Sequence, residues 1–272
     1  MRDNYWKTQK NFPHRVEAFR QKIEYRPGRE ASGFNYLKKY KGIEMGINVV
    51  SKIDDLVKIK TVLISVSDKT GLENFVPGLV DINPDIKILS TGGTYARIRE
   101  ILKEKADSNL VAVSDYTGQP ETQGGLVKTL DFKIYLGLLT ETYNESHQKD
   151  LARTGARPID LVAVNLYPFS QTIARPESTI ENARGNIDIG GPCMIRAAAK
   201  NFIRVAAVVS PDDYSRILKE LRANNGATTL ATRAGLAKKA FAHTAAYDTA
   251  IAEYFAGKTD KDFIETYPEI MK

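Results

Sequence analysis

Three features of this chain predict an α/β fold with a mainly parallel sheet and helices on both of its faces. Short runs such as Thr61–Val66, Leu161–Leu166 and Val205–Val209 are apolar almost throughout, as strands buried on both sides are. Stretches long enough for helices separate them. Polar turns rich in Ser, Thr and Gly close the early runs, where a strand hands over to a helix. Further helices are expected at the C-terminus, and an extension of different character precedes the sheet.

The elements follow in order. Residues 1–60 interleave aromatics with lysine and arginine and carry 14 basic against 7 acidic residues, a balance of +7 within a chain whose total is +6. A helix is expected near His14–Tyr25, ended by Pro27-Gly28, and a short one near Phe34–Tyr40. This extension is expected to dock on the main domain, residues 61–272, or on a second subunit. Thr61–Val66 reads as a strand, Ser67–Gly71 as a turn, and a helix runs on to about Leu79. Ile86–Leu89, Ser90–Thr94 and a helix through about Lys103 repeat the pattern. Leu110–Val113, Ile134–Leu139, Leu161–Leu166 and Val205–Val209 read as further buried strands. Pro211–Ala223 reads as one helix and Thr229–Phe255 as one or two, packed through Leu230, Leu236, Ala240 and Phe241.

Composition narrows the function. No apolar run approaches the ~20 residues that cross a bilayer, and MRDNYWKTQKNF lacks the apolar core of a signal peptide. One cysteine, Cys193, excludes an internal disulfide framework, and three scattered histidines argue against a metal site. A cytoplasmic protein is expected, with neither a membrane nor a nucleic acid as partner.

Two stretches carry chemistry. SVSDKTG (Ser65–Gly71) and STGGT (Ser90–Thr94) should meet beyond the carboxyl ends of neighbouring strands, where open α/β sheets bind ligands. Hydroxyls, glycine N–H groups and Lys69 suit a phosphate monoester, although neither turn has the GxxxxGK[ST] spacing. NIDIGGPCMIRAAAKN (Asn186–Asn201) passes through Gly190-Gly191 into a helix that Pro192 can open at its first position. Arg196 and Lys200 share a face of that helix. Like charges at this spacing cost about 0.2–0.5 kcal/mol unless an anion lies beside them, and Asp188 is the internal candidate. Cys193 is expected as a small packed residue and His243 as a structural one, hydrogen-bonded to Asp248 or Tyr247.

SVSDKTG, STGGT, SDYTG…PE, VKTL, VNLYPF, NIDIGG, IRAAAKN and KAFAHTAAYD occur here in the order they have in one family. From about Val62 to Tyr254 the chain resembles the N-terminal, IMP cyclohydrolase half of the bifunctional purine biosynthesis protein. The resemblance implies a methylglyoxal-synthase-like fold. It also implies closure of 5-formamidoimidazole-4-carboxamide ribonucleotide to IMP with loss of water, without metal or cofactor. It makes Lys200 the proton-transfer residue with Asp188 beside it, has Lys128 stabilise the reacting formyl oxygen, and has Tyr167 hold the reacting groups. Ser67, Asp68, Lys69, Thr91, Gly92, Gly93, Thr94, Val127, Thr129, Asn165, Ile189 and Gly190 fall on the family's nucleotide-binding turns. The chain stops at Lys272, so a separate formyltransferase is expected to supply the substrate, and a homo-oligomer is compatible with the family.

Departures cluster between Gln119 and Tyr135. Relatives read GRVKTLHPKIHGG where this chain has GLVKTLDFKIYLG, so Leu126 replaces an arginine and Asp131 and Tyr135 replace histidines. Gln119 stands for a phenylalanine. A basic side chain from residues 1–60 is expected to take the vacated arginine position. The competing expectation is a non-catalytic purine-nucleotide sensor of the same fold.

Overall fold

The structure is a computed structural model that describes residues 49–119, 127–267 and 269–271. The chain divides into two units at Val49 and Val50, and the second is the one described here. The two helices expected before residue 41, the basic residue expected to replace the family arginine, and Leu126 lie outside the described residues.

The elements in chain order are β1 (Val57–Lys58), β2 (Thr61–Val66), α1 (Leu72–Ile82), β3 (Lys87–Ser90), α2 (Gly92–Leu102), α3 (Ala106–Asn109), β4 (Leu110–Ala112), α4 (Val113–Thr117), α5 (Phe132–Leu139), α6 (Glu145–Thr154), β5 (Leu161–Asn165), α7 (Phe169–Ile173), α8 (Ile180–Gly185), α9 (Gly190–Lys200), β6 (Ala206–Val208), α10 (Tyr214–Ala223), β7 (Ala227–Thr228), α11 (Leu230–Ala256) and α12 (Asp260–Thr266). Five strands form one parallel sheet in the order β4-β3-β2-β5-β6, while β1 and β7 pair antiparallel beside it. The order reverses at β2: the chain first grows toward β4, then returns to place β5 on the other side. That reversal makes the carboxyl ends of β2 and β5 the switch point where such sheets hold ligands.

Side-chain alternation along the strands divides the core in two. Val62, Ile64 and Val66 join α1, α2 and α10 on one face, with Phe75 stacked on Tyr214 at 4.1 Å between ring centroids. Leu63, Val162 and Val164 face α4, α5, α9 and α11 on the other. The expected two-sided cover is therefore present.

The structure corrects several expectations. Ile134–Leu139 is helix α5, not a strand. A continuous apolar run cannot distinguish the two by period. Asp131 decides it locally, its carboxylate capping the helix by accepting the Lys133 N–H at 2.7 Å. Gly137 then lets α5 approach the Arg157 carbonyl, which a Cβ would meet at 2.5 Å. Val50–Lys272 forms one compact unit, in which Ile59 is in the core and the Asp54 and Asp55 carbonyls are held by Arg233. Pro211–Asp213 is a separate 3-10 turn before α10. Residues 230–256 form one helix in which Leu236 and Ala240 are buried, whereas Phe241 is exposed and lies under the Arg196 guanidinium.

The amino ends of the strands are locked by two buried arginines. Asp160 accepts the Lys60 and Thr61 N–H groups at 2.9 and 3.0 Å and pairs with Arg204 at 3.0 Å. Burial opposes charge on both partners, raising the Asp160 pKa and lowering that of Arg204. Arg204 also donates to the carbonyls of Thr140, Ile159 and Gly137. Arg233, fully buried, donates to five carbonyls, those of Asp54, Asp55, Phe202, Ile203 and Thr228.

Candidate active site

At the carboxyl ends of the strands the side chains are arranged differently. Asn165, at the end of β5, accepts the N–H groups of Ser67 and Asp68 at 2.6 and 3.0 Å and donates to the Asp68 carbonyl at 2.8 Å. One amide thus fixes the turn after β2 across the switch point. Thr94 fixes the other side of that turn, its hydroxyl exchanging hydrogen bonds with Val66 N–H and C=O at 3.1 and 3.0 Å. Asp68 is occupied internally by Thr70, which holds its pKa below the usual carboxylate value.

Two ammonium groups converge on the N-terminus of α2. Lys128 Nζ lies 3.2 Å from where a Cβ on Gly92 would be, and Lys69 Nζ lies 4.0 Å from the same point on Gly93. Lys69 donates to the Ser67 carbonyl at 3.3 Å. Neither lysine forms an ion pair among the described residues. Thr91 makes no side-chain cap, so the first-turn N–H groups of α2 remain available. Two cations and a helix N-terminus form a site for a dianion.

The link 127–130 joins this cradle to a second helix start. Thr129 Oγ1 would stand 2.7 Å from a Cβ on Gly190, beside the first turn of α9, and Asp188 Oδ2 would stand 2.6 Å from one on Gly191. Both glycines are required because side chains there would displace these groups. Asp188 accepts the Gly191 N–H at 2.8 Å. Partial burial raises its pKa; the Gly191 and Tyr167 backbone N–H groups oppose that rise without cancelling it. Tyr167 therefore meets Asp188 through its backbone, while its side chain, like those of Val127 and Ile189, is exposed.

Direct contacts thus join Ser67, Asp68 and Asn165, tie Thr94 to Val66, and run from Lys69 and Lys128 at Gly93 and Gly92 along the 127–130 link to Thr129, Gly190, Asp188 and the Tyr167 backbone. Lys200 is not among them. It is the last residue of α9, whose first turn holds Asp188, and ten residues of helix rise about 15 Å. Asp188 cannot lie between Arg196 and Lys200 for the same reason. The helix also begins at Gly190, so Pro192 occupies its third position and not its first. Cys193 is exposed, not packed. The Nε2 atom of His243 is buried without a hydrogen-bond partner, while the Tyr247 hydroxyl is engaged by Asp188 N–H and the Asn186 carbonyl. Asp131 caps α5, and the Tyr135 hydroxyl is buried beside Cys193, which raises its pKa. Neither takes a place in the cradle. Among the described residues no cluster of His, Cys, Asp and Glu could hold a metal ion, and no helix is long and apolar enough to cross a membrane.

A family model for the MGS-like domain matches residues 71–193, and one for the AICARFT/IMPCHase bienzyme matches residues 198–272. The chain is 45% identical over 214 residues to the bifunctional purine biosynthesis protein PurH of Magnetococcus marinus, covering 79% of this chain and 39% of that protein. It is 50% identical over 202 residues to the PurH of Chlorobium chlorochromatii, covering 74% and 37%. The chain is a homologue of PurH with MGS-like and AICARFT/IMPCHase segments. It spans 37–39% of the length of the curated PurH relatives it matches. The crystal structure of ForH aligns with a TM-score of 0.61 at 34% identity, covering 72% of this chain and 99% of that one. Lys128, Thr129, Asp188 and the α9 start fall within the MGS-like match, Ser67, Asp68 and Lys69 precede it, and Tyr247 falls within the AICARFT/IMPCHase match, its hydroxyl on the Asp188 N–H.

Proposed function

We propose that this chain binds a purine ribonucleotide at the α2 cradle and closes 5-formamidoimidazole-4-carboxamide ribonucleotide to IMP, with loss of water. The observation that carries the reading is the pairing of two lysines at the α2 N-terminus with a carboxyl of raised pKa, joined by the 127–130 link. The phosphate takes the α2 N-terminus with Lys69 and Thr91–Thr94. The base and its two arms then extend toward Asp188 and the exposed Tyr167 ring.

The chemistry asks little of the protein beyond proton management, because both reacting groups belong to one molecule. The carboxamide nitrogen attacks the formyl carbon, forming the C–N bond, and its proton passes to Asp188. The formyl oxygen, its developing negative charge met by Lys128, takes that proton back from Asp188 and becomes a hydroxyl. Asp188 then accepts the formamido N–H proton and passes it to the hydroxyl, which leaves as water as the ring C=N bond forms. A raised pKa suits a carboxyl that must both accept and return a proton near neutrality. In one chain this role falls to Asp188 alone, with Lys200 at the far end of the helix. The substrate arrives already formylated, so a formyl-transfer reaction precedes this step, and the cytoplasm is the compartment that fits.

Incubation with the formylated ribonucleotide tests the reading: IMP should accumulate with no added metal or cofactor. The remoteness of Lys200 favours a second reading, a nucleotide-binding module without turnover. Tight binding of IMP with no ring closure would establish that alternative.

A further inference from the structure

Tyr247 lies 59 residues beyond Asp188, on α11, within the KAFAHTAAYD stretch that the resemblance covers without giving this residue a role. Its hydroxyl accepts the Asp188 backbone N–H at 2.8 Å and donates to the Asn186 carbonyl at 3.2 Å. Its ring meets Phe169 edge-on, 6.2 Å between centroids, and Tyr254 meets the same ring at 5.8 Å. Phe169 is buried and follows directly on Tyr167-Pro168, the turn whose backbone N–H faces the Asp188 carboxylate. One side chain therefore grips both segments that hold that carboxylate. Residues 186–189 have no helix or strand of their own to fix them, whereas α11 is 27 residues long and is anchored through Leu236, Ala237, Ala240 and Thr244.

We propose that Tyr247 is a positioning residue that fixes Asp188 for proton transfer by clamping the 186–188 link to the rigid α11. The proposal rests on the reading of Asp188 as the proton-transfer group. A carboxyl serving a ring closure must stay within a fraction of an ångström of the reacting nitrogen. The Gly191 N–H orients the carboxylate but does not hold the backbone that carries it. The phenol supplies that hold, and burial raises its pKa, keeping its proton in place to donate to Asn186.

Tyr247→Phe keeps the ring against Phe169 and removes both hydrogen bonds. Two measurements on the full chain test the proposal: amide hydrogen exchange, and the kinetics of ring closure in Tyr247→Phe, Asp188→Asn and the double variant. The expected result is faster exchange confined to residues 186–191. With it should come a kcat about 10- to 100-fold lower, as misplacement of a reacting group produces. KM should stay within about twofold, and the double variant should be no slower than Asp188→Asn. Unchanged exchange at 186–191 would overturn the proposal, as would exchange rising throughout α9 and α11. Local loosening with full kcat, where Asp188→Asn is impaired, would also overturn it and leave the reading of Asp188 standing. An Asp188→Asn protein as active as the wild type would remove that reading and the role of Tyr247 with it.

Discussion

The two ends of the parallel sheet carry the same kind of charge and use it in opposite ways. At the amino ends, Arg204 and Arg233 are buried and their donors are taken up by carbonyls and Asp160. At the carboxyl ends, Lys69 and Lys128 stand at a helix N-terminus without an ion-pair partner among the described residues. A cation satisfied by its own protein is structural, and removing its partner strands a charge in low dielectric. A cation left without an anion is one that a ligand can complete. On the proposed reading, binding and catalysis belong to one end of the sheet and stability to the other, and each end can be probed separately.

The largest expected effect is at the carboxyl end. Asp188→Asn should lower kcat for ring closure about 10²- to 10⁴-fold, the range of a lost acid–base group, while leaving the thermal midpoint unchanged or slightly higher. Steady-state kinetics with calorimetry checks both parts; a stability loss matching the activity loss would blur the distinction between the ends. Next comes the amino end. Asp160→Ala should cost about 3–5 kcal/mol of stability by leaving Arg204 buried and unpaired, read by denaturant titration. Nucleotide affinity of the molecules still folded should be unaffected. Lys69→Ala and Lys128→Ala should each weaken IMP binding about 10- to 100-fold, as loss of a charge-assisted contact does, with little change in stability by calorimetric titration and unfolding.

The smallest effect concerns pH. The folded-state pKa of Asp188 is raised, so between its unfolded and folded values the native state binds more protons. Its contribution to stability is full below the unfolded value and is lost as pH rises through the folded one. Unfolding measured across that window should show this shallow slope, and Asp188→Asn should remove it.

Much of this contrast was legible in the sequence at the carboxyl end and little of it at the amino end. The turns after β2 and β3 announce themselves because Ser, Thr, Gly and Lys follow apolar runs, and the fold places both at the switch point. Lys128, Thr129 and Asn165 were reached only through the family resemblance, since a single lysine or asparagine in a loop has no local signature. Ile134–Leu139 is a nearly continuous apolar run that reads as a strand, and only the cap from Asp131 marks it as helix α5. Lys200 reads as a neighbour of Asp188 because both lie in one motif, whereas helix α9 carries its two ends apart. Arg204, Arg233 and Tyr247 stayed hidden for a common reason: each acts on backbone far away in sequence, and no local pattern records such partners.

One measurement bears most directly on the account: the rate at which the purified chain, without metal or cofactor, converts the formylated carboxamide ribonucleotide to IMP, compared with Asp188→Asn. The account predicts turnover by the native chain and a loss of at least about 100-fold in the variant, with IMP still bound by both. Equal rates in the two proteins, or binding of IMP with no ring closure by either, would contradict it.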